Sequence, residues 1–428
     1  MEIIILHSHL NPGGVTRIIE SQVESLENMQ VKVVVGYCPS PEKLTAKGVE
    51  LIEFAPLNYL ENRKYSLEET NQIHDKITGF LQKLISGETI LHVHNLNLGK
   101  NPVLTYIISQ LAKKGVPVFN HAHDFAEDRP VNFQFLKEII EGNYGEKLND
   151  VLYPDLPNYH FGVLNSFDQK RLEKYGVKKE RILWLPNPVT FETKMDTSKK
   201  AAYKNEICRA LNLEENKLLV TYPVRVIKRK NIGEFILLSV LFKNQAEFVV
   251  TQPPKNPVEV ELYKKWLDFV RSQKIQVVFE AGNKVSFEKL LIASDFCITT
   301  SYQEGFGMVY LEPWLLNTPV TGRDINFLTS DFKNDGLDFP ALYNEINIPG
   351  FAGDFKDLDS KTQMQIITGI NRNQIKKEDV FEQNRVLLSL FKKVDAETTN
   401  KNKAIINNNY SLKKYGIKLQ NRYKKMVG

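Results

Sequence analysis

Ser301-Tyr302-Gln303-Glu304-Gly305-Phe306-Gly307-Met308-Val309-Tyr310-Leu311-Glu312 follows a short apolar run, Phe296–Thr299. Gly305 and Gly307 permit a tight loop there, and the loop is expected to lead into a helix with Glu304 ahead of it and Glu312 inside it. Such a loop sets backbone N–H groups on a phosphate while two carboxylates accept hydrogen bonds from ligand hydroxyls. Taken singly, the first glutamate also reads as a helix cap and the second as a surface carboxylate. Pro313 interrupts the hydrogen-bond ladder and predicts a local bend. Some 75 residues upstream, Arg225-Val226-Ile227-Lys228-Arg229-Lys230-Asn231 follows another apolar run, Leu218–Tyr222. Cations gathered at a strand end suit either a solvated face or a shared anion, with a diphosphate the natural guest.

Around these two stretches the chain alternates strand-length apolar runs with helical periodicity. In the first half the strands are expected at Ile3–His7, Val31–Tyr37, Thr89–His94, Val116–His121 and His160–Leu164, with helices such as Val15–Asn28 and Asn101–Lys114 between them. In the second half they fall at Leu218–Tyr222, Glu247–Thr251, Gln276–Phe279, Phe296–Thr299 and Pro319–Thr321. Runs that are nearly all apolar suit parallel strands buried on both faces, so each half reads as a doubly wound α/β domain. Leu185-Pro186-Asn187-Pro188 breaks the pattern ahead of a helical stretch, Thr197–Leu211, and places the boundary after residue 188. The domains are thus 1–188 and 189–410, with a cleft expected at the carboxyl ends of their strands. A length of 428 residues, 42 % hydrophobic and 25 % charged, accommodates two such cores.

Charge divides unevenly between the halves. Residues 1–188 hold 20 Lys and Arg against 23 Asp and Glu, and residues 189–428 hold 36 against 28, so an anion belongs with the second half. The excess is too mild for a nucleic-acid reader, and no nucleic-acid partner is expected. All eight histidines lie in the first half, and six form the pairs His7/His9, His92/His94 and His121/His123 at strand ends, each pair on one face. Such rings suit proton or hydroxyl chemistry, and a metal site is also conceivable. Cys38, Cys208 and Cys297 are odd in number and far apart, as in a reducing cytoplasm. Asn11-Pro12-Gly13-Gly14-Val15 opens the first helix either as a conformational turn or as an oxyanion cradle. Asp357-Leu358-Asp359 falls in a polar helical stretch and reads as coincidence.

Ser411–Val427 has six basic and no acidic residues, with Leu412, Tyr415, Leu419, Tyr423 and Met426 at helical spacing. This amphipathic helix 411–428 is expected to pack on a domain, the other reading being a weak contact with an anionic membrane surface. The polar run Thr398–Asn409 reads as a solvated connection. No apolar run approaches the ~20 residues of a spanning helix, and the amino terminus enters a strand without a basic leader, so a cytoplasmic protein is expected.

Glu304-Gly305-Phe306-Gly307 with Glu312 resembles the E-x7-E motif of family 4 glycosyltransferases. The order of the other motifs agrees: Gly13-Gly14 after the first strand, His123-Asp124 after a middle strand, Ser166, Pro186-Asn187 at the link, and Arg225 with Lys230 five residues on. The resemblance covers nearly the whole chain and implies the GT-B fold of two facing Rossmann-like domains, with the terminal helix packing back on the first. It implies a retaining transfer of a hexose from a nucleoside-diphosphate sugar to a hydroxyl of a small-molecule, glycan or lipid-linked acceptor, with no cofactor and no metal in the active site. Carried over by residue, Arg225 and Lys230 take the diphosphate, Gly14 offers it an N–H, and Glu312 takes the ribose hydroxyls. Glu304 takes a sugar hydroxyl, the backbone of Gly305, Phe306, Gly307 and Met308 holds sugar and phosphate, and His123 borders the reacting carbon. Asp124, Arg129 and Asn187 are the acceptor-side candidates, with Glu127 and Asp128 in the same acidic loop. Two stretches depart from the family. Gln252-Pro253-Pro254-Lys255-Asn256-Pro257 replaces a Gly-rich turn near the base, and Val320-Thr321-Gly322-Arg323-Asp324-Ile325-Asn326 replaces paired glycines, which is expected to reshape the pocket. The rivals are a nucleotide-sugar epimerase of the same fold and a non-catalytic nucleotide-sugar-binding protein.

Overall fold

The computed structural model describes residues 1–26, 29–191, 193 and 195–427. The chain forms two compact units, Met1–Pro188 with Tyr410–Gly428, and Val189–Asn409. Among the described residues, the first unit is built on seven strands: β1 (Glu2–His7), β2 (Gln30–Val35), β3 (Glu50–Glu53), β4 (Thr89–His94), β5 (Val118–Ala122), β6 (Tyr159–Val163) and β7 (Ile182–Trp184). They pair in parallel in the order β3-β2-β1-β4-β5-β6-β7. Alternation along β1 explains why both faces are covered. Ile4 and Leu6 pack with the helix Pro102–Lys113 through Leu104, Ile107 and Ile108. Ile3 and Ile5 pack with Ile18, Ile19 and Val23 of the helix Gly14–Ser25 and with Tyr415, Leu419 and Tyr423 of the terminal helix Leu412–Val427. The apolar face of the terminal helix is therefore buried within the first unit. Gly416 permits the close approach, because a Cβ there would lie 2.9 Å from Ser25.

The second unit has six parallel strands in the order β10-β9-β8-β11-β12-β13: β8 (Leu218–Arg225), β9 (Ala246–Gln252), β10 (Val277–Val278), β11 (Phe296–Thr299), β12 (Val320–Arg323) and β13 (Leu342–Tyr343). Pro223 cannot donate to the ladder, and the β8/β9 register slips between Tyr222 and Arg225. The helix Ile232–Leu241 that follows is buried on every side, Glu234 included. Gly322 lies at φ 120°, and a Cβ there would stand 2.1 Å from the Thr299 carbonyl, so only glycine lets β12 lie this close to β11.

Several expectations from the sequence are corrected. The run Thr398–Asn409 is not a solvated connection but part of a helix, Ala396–Asn409, held by buried Thr399, Asn402 and Ile406. Its few apolar side chains hid the periodicity, and the buried Asn402 amide instead bonds both the carbonyl and the N–H of Asp338. Strands β3, β7 and β13 were not expected; in β3 only Leu51 and Ile52 are apolar, between Glu50 and Glu53. The first helix ends at Ser25, and Asn28, where the sequence would end it, lies outside the described residues, as does Gly428. Asp357-Leu358-Asp359 is not helical throughout: Asp357 ends a 3-10 turn and Asp359 caps the next helix, accepting from the N–H groups of Lys361 and Thr362.

Candidate functional site

In the second unit, β8 delivers Arg225, and the 3-10 turn Lys228–Lys230 follows it. That turn is bound to the loop after β11 along its length. Tyr302 N–H donates to the Arg229 carbonyl at 3.1 Å. Thr300 Oγ1 and Tyr222 Oη both donate to the Lys230 carbonyl at 3.0 Å. The turn and the backbone leading into Glu304 are thereby fixed to each other. The Lys230 ammonium contacts Glu304 Oε1, and Arg229 reaches Oε2 at 2.6 Å and the Gln303 carbonyl at 2.9 Å. Lys230 and Glu304 retain only 12 % and 7 % of their side-chain exposure, against 40 % for Arg229. Burial pulls the Lys230 ammonium below its usual range despite Glu304. Burial likewise opposes ionisation of Glu304, yet Lys230 and Arg229 hold its carboxyl below the usual carboxylate range. The centre is a buried carboxylate between two cations, mounted on turns that side chains lock together.

Arg225 does not join that pair. One Nη donates to Gln252 Oε1 at 3.2 Å, and its buried Nε has no partner among the described residues. Glu312 is half-buried, and its charge contributes to raising the Cys297 thiol, after burial and against the opposing effect of Lys200. The helix expected to run from the glycine loop through Glu312 is also corrected. Gly307, at φ 82°, precedes a 3-10 turn, Met308–Tyr310, and Glu312 begins a helix of four residues with Pro313 in its first turn. Proline is accommodated there because that N–H needs no helical acceptor, so the expected bend is absent. Phe306 and Gly307 are buried, Met308 is half-buried and Gly305 is exposed.

Within the stretch expected to reshape the pocket, Arg323 has a structural role that the sequence did not show. Its side chain enters the core, where Nε bonds Glu234 at 2.9 Å and the two Nη atoms bond Asp354 at 2.7 and 2.9 Å. A helix buried on all sides carries Glu234 and needs a cation beside it, and the end of β12 supplies one.

In the first unit, β4 and β5 pair with His94 opposite His121, and β1 and β4 pair with Ile5 opposite His92. This register gathers the three H-x-H motifs in one block. His92 and His94 stack at 4.7 Å between centroids, His121 and His123 at 4.2 Å, and His7 stands 5.9 Å from His94. Burial drives His7 down to about 3 and His123 to about 4, and puts His92, His94 and His121 well below their usual value, so all five are neutral imidazoles near pH 7. Ring nitrogens of His92, His94 and His121 come within 4.8 Å of one another. The Gln22 amide nitrogen stands among them, 3.2 Å from both His92 Nε2 and His121 Nδ1.

Next to His123, the Asp124 carboxylate pairs with Arg129 at 2.7 Å, and Asn95 Oδ1 accepts from the backbone N–H groups of both His123 and Asp124. Glu127 and Asp128 are committed elsewhere: Tyr153 donates to Glu127 at 2.7 Å and Arg171 pairs with Asp128 at 2.7 Å. Asn187 Oδ1 is buried and without a partner among the described residues. Gly13 caps the first helix in extended geometry, leaving Gly14 exposed with space around it. Sequence reading missed Gln22, Arg229 as the second partner of Glu304, and the Arg323 triad. Gln22 had a signal, a polar residue on the helix face shared by Ile18, Ile19 and Val23.

No family model matches the chain. It is similar to the mannosylglucosyl-3-phosphoglycerate synthase of Petrotoga mobilis, at 29 % identity over 343 residues, 77 % of this chain and 66 % of that one. The match thus spans just under two thirds of that relative's length. Among solved structures, HepE of Anabaena in complex with UDP-glucose aligns with a TM-score of 0.62 at 15 % identity, covering 99 % of both chains. A glycosyltransferase from Rickettsia africae aligns with a TM-score of 0.61 at 14 % identity, covering 100 % of this chain and 98 % of that one. Two all-parallel α/β sheets of seven and six strands, aligned over the full length with these neighbours, give the chain the GT-B fold.

Proposed function

We propose that the chain is a retaining glycosyltransferase of the family 4 type, moving a hexose from a nucleoside-diphosphate sugar to a hydroxyl acceptor without a metal in its active site. The observation that carries this reading is the buried Lys230–Glu304 pair with Arg229, on turns tied together beside the Gly305–Met308 backbone. In that role residues 189–410 bind the donor, and Lys230, with Arg225, neutralises the departing diphosphate. The acceptor oxygen bonds to the anomeric carbon as the bond to the diphosphate oxygen breaks, and the acceptor proton leaves with the nucleoside diphosphate. Stabilising charge on a leaving group with preplaced cations is worth several kcal/mol in other sites.

Glu304 takes a hydroxyl of the transferred sugar, Glu312 the ribose hydroxyls, and Gly14 adds its N–H to the phosphate. The unpartnered Arg225 Nε is the kind of orphaned buried donor that a bound anion satisfies. His123 meets the sugar at the reacting carbon, and Asp124, Arg129 and Asn187 serve the acceptor from the 1–188 domain. The Petrotoga relative supports a mannosyl donor and a phosphorylated glucoside acceptor as the first pair to try, and the HepE complex supports UDP-glucose as the second donor. A cytoplasmic location fits such substrates, and among the described residues no helix is long and apolar enough to cross a membrane.

The test is a screen of UDP-, GDP- and ADP-sugars for thermal stabilisation, followed by release of nucleoside diphosphate with and without acceptor. Release only with acceptor supports transfer. Isomerisation of the sugar without acceptor would favour an epimerase, and stabilisation without either reaction a binding protein.

A further inference from the structure

Gln22 projects from the helix Gly14–Ser25 into the block of histidines and is fully buried. Its two amide atoms face different company. Oε1 has one partner, His94 Nε2, at 2.9 Å. Nε2 has three neighbours: Tyr415 Oη at 2.7 Å, and His92 Nε2 and His121 Nδ1 at 3.2 Å each. The opposite amide orientation would put the two-proton nitrogen against a single partner and leave a buried N–H without an acceptor, which proteins avoid. With the oxygen facing His94, Nε2 of His94 must carry the proton. Its Nδ1 is then bare and accepts from His123 Nε2, 2.8 Å away. A neutral imidazole has one proton to place, so His123 Nδ1 is also bare.

We infer that Gln22, held by Tyr415 of the terminal helix, is a positioning residue that fixes His123 as its Nε2–H tautomer, with Nδ1 kept as an acceptor for a substrate hydroxyl. The inference rests on the proposed meeting of His123 with the transferred sugar. Gln22 thereby sets the direction of the protons along the path from Tyr415 through His94 to His123. A carboxylate at position 22 accepts on both oxygens and favours an imidazolium at His94. That ring would then donate from Nδ1, forcing His123 to accept at Nε2 and carry its proton on Nδ1. Other titratable groups around the block are His7, His9 and Tyr59 on one side, Asp124, Arg129 and Lys100 near His123, and Tyr423, whose hydroxyl meets His92 Nδ1.

The experiment uses the full chain labelled with 15N-histidine and records two-bond N–H correlations, with His123→Gln for assignment. The expected wild-type spectrum shows His123 protonated on Nε2 and bare on Nδ1. Gln22→Glu should reverse this near neutral pH and revert as pH rises and His94 sheds its proton. In turnover, Gln22→Glu should lower kcat tenfold or more with the KM for donor within threefold, and the deficit should shrink toward high pH. A purely packing role would lower thermal stability and leave the shape of the pH profile unchanged. His123 protonated on Nδ1 in the wild type, a measurement that needs no variant to fold, would overturn the inference. So would an unreversed tautomer in folded Gln22→Glu. Reversal of the tautomer with unchanged kcat would uphold the fixing of the ring and overturn only the part of His123 in transfer.

Discussion

Replacing Lys230 with methionine keeps the aliphatic stem and deletes the charge that Glu304 meets on one side. Breaking a buried ion pair by removing one partner costs about 3–5 kcal/mol. Here the loss is smaller, because Arg229 stays 2.6 Å from the same carboxylate although its side chain is 40 % exposed. Roughly 1–3 kcal/mol of stability should go, which for a unit of this size lowers Tm by about 2–12 °C. The effect on transfer is larger if the ammonium neutralises the departing diphosphate. A donor of that kind is worth about 3–4 kcal/mol, or roughly 100- to 1000-fold in turnover. The assay is nucleoside-diphosphate release at saturating acceptor, on protein shown by circular dichroism to be folded, with Arg229→Met as the control. Arg229 is more exposed and should cost less than Lys230 in both measurements. A Lys230→Met enzyme turning over within tenfold of wild type would refute the leaving-group role, and a larger loss from Arg229→Met would reassign it to that guanidinium.

Arg323→Met strips the cation from Glu234 and Asp354 and should cost about 3–5 kcal/mol, lowering the Tm of the second unit by roughly 6–20 °C. Burial pushes the Asp354 carboxyl up, but Arg323 holds it below its usual 3.8. This contribution is present above pH 3.8 and lost as pH falls through the lower folded value, so the gap in Tm between the two proteins should be full near neutral pH and narrow as pH falls below 3.8. Glu312→Ala should weaken donor binding with little change in kcat, and an unaltered donor Kd would remove it from the ribose. The apolar face of the terminal helix is already buried by Tyr415, Leu419 and Tyr423, so the protein should not pellet with anionic vesicles at low ionic strength, and salt-reversible pelleting would show that its lysines act at a lipid surface.

Much of the architecture was legible because parallel strands write themselves as apolar runs. Thr89–His94 and Phe296–Thr299 match the observed strands residue for residue. The edge strands β3, β7 and β13 were not read, although β10, also at an edge, was, and Ala396–Asn409 carries too few apolar side chains to show helical period. At the candidate site, the charge run and the glycine loop were readable, but their pairing was not. Glu304 meets Lys230 across 74 residues, and Arg323 meets Glu234 across 89. Sequence spacing carries no information on contacts made through a sheet. It therefore could not show that Arg229 shares Glu304 with Lys230, or that Arg323 turns into the core. Gln22 was passed over because one amide among apolar neighbours gains meaning only when the strand register stacks three histidine pairs beside it.

The most direct measurement is calorimetric titration of a nucleoside-diphosphate sugar into wild type, Lys230→Met and Glu304→Gln. Saturable binding that Lys230→Met weakens at the diphosphate, seen equally with the free nucleoside diphosphate, and that Glu304→Gln weakens only when the sugar is present, is the predicted result. Equal affinity for all three proteins, or no binding by any UDP-, GDP- or ADP-sugar, would contradict the account.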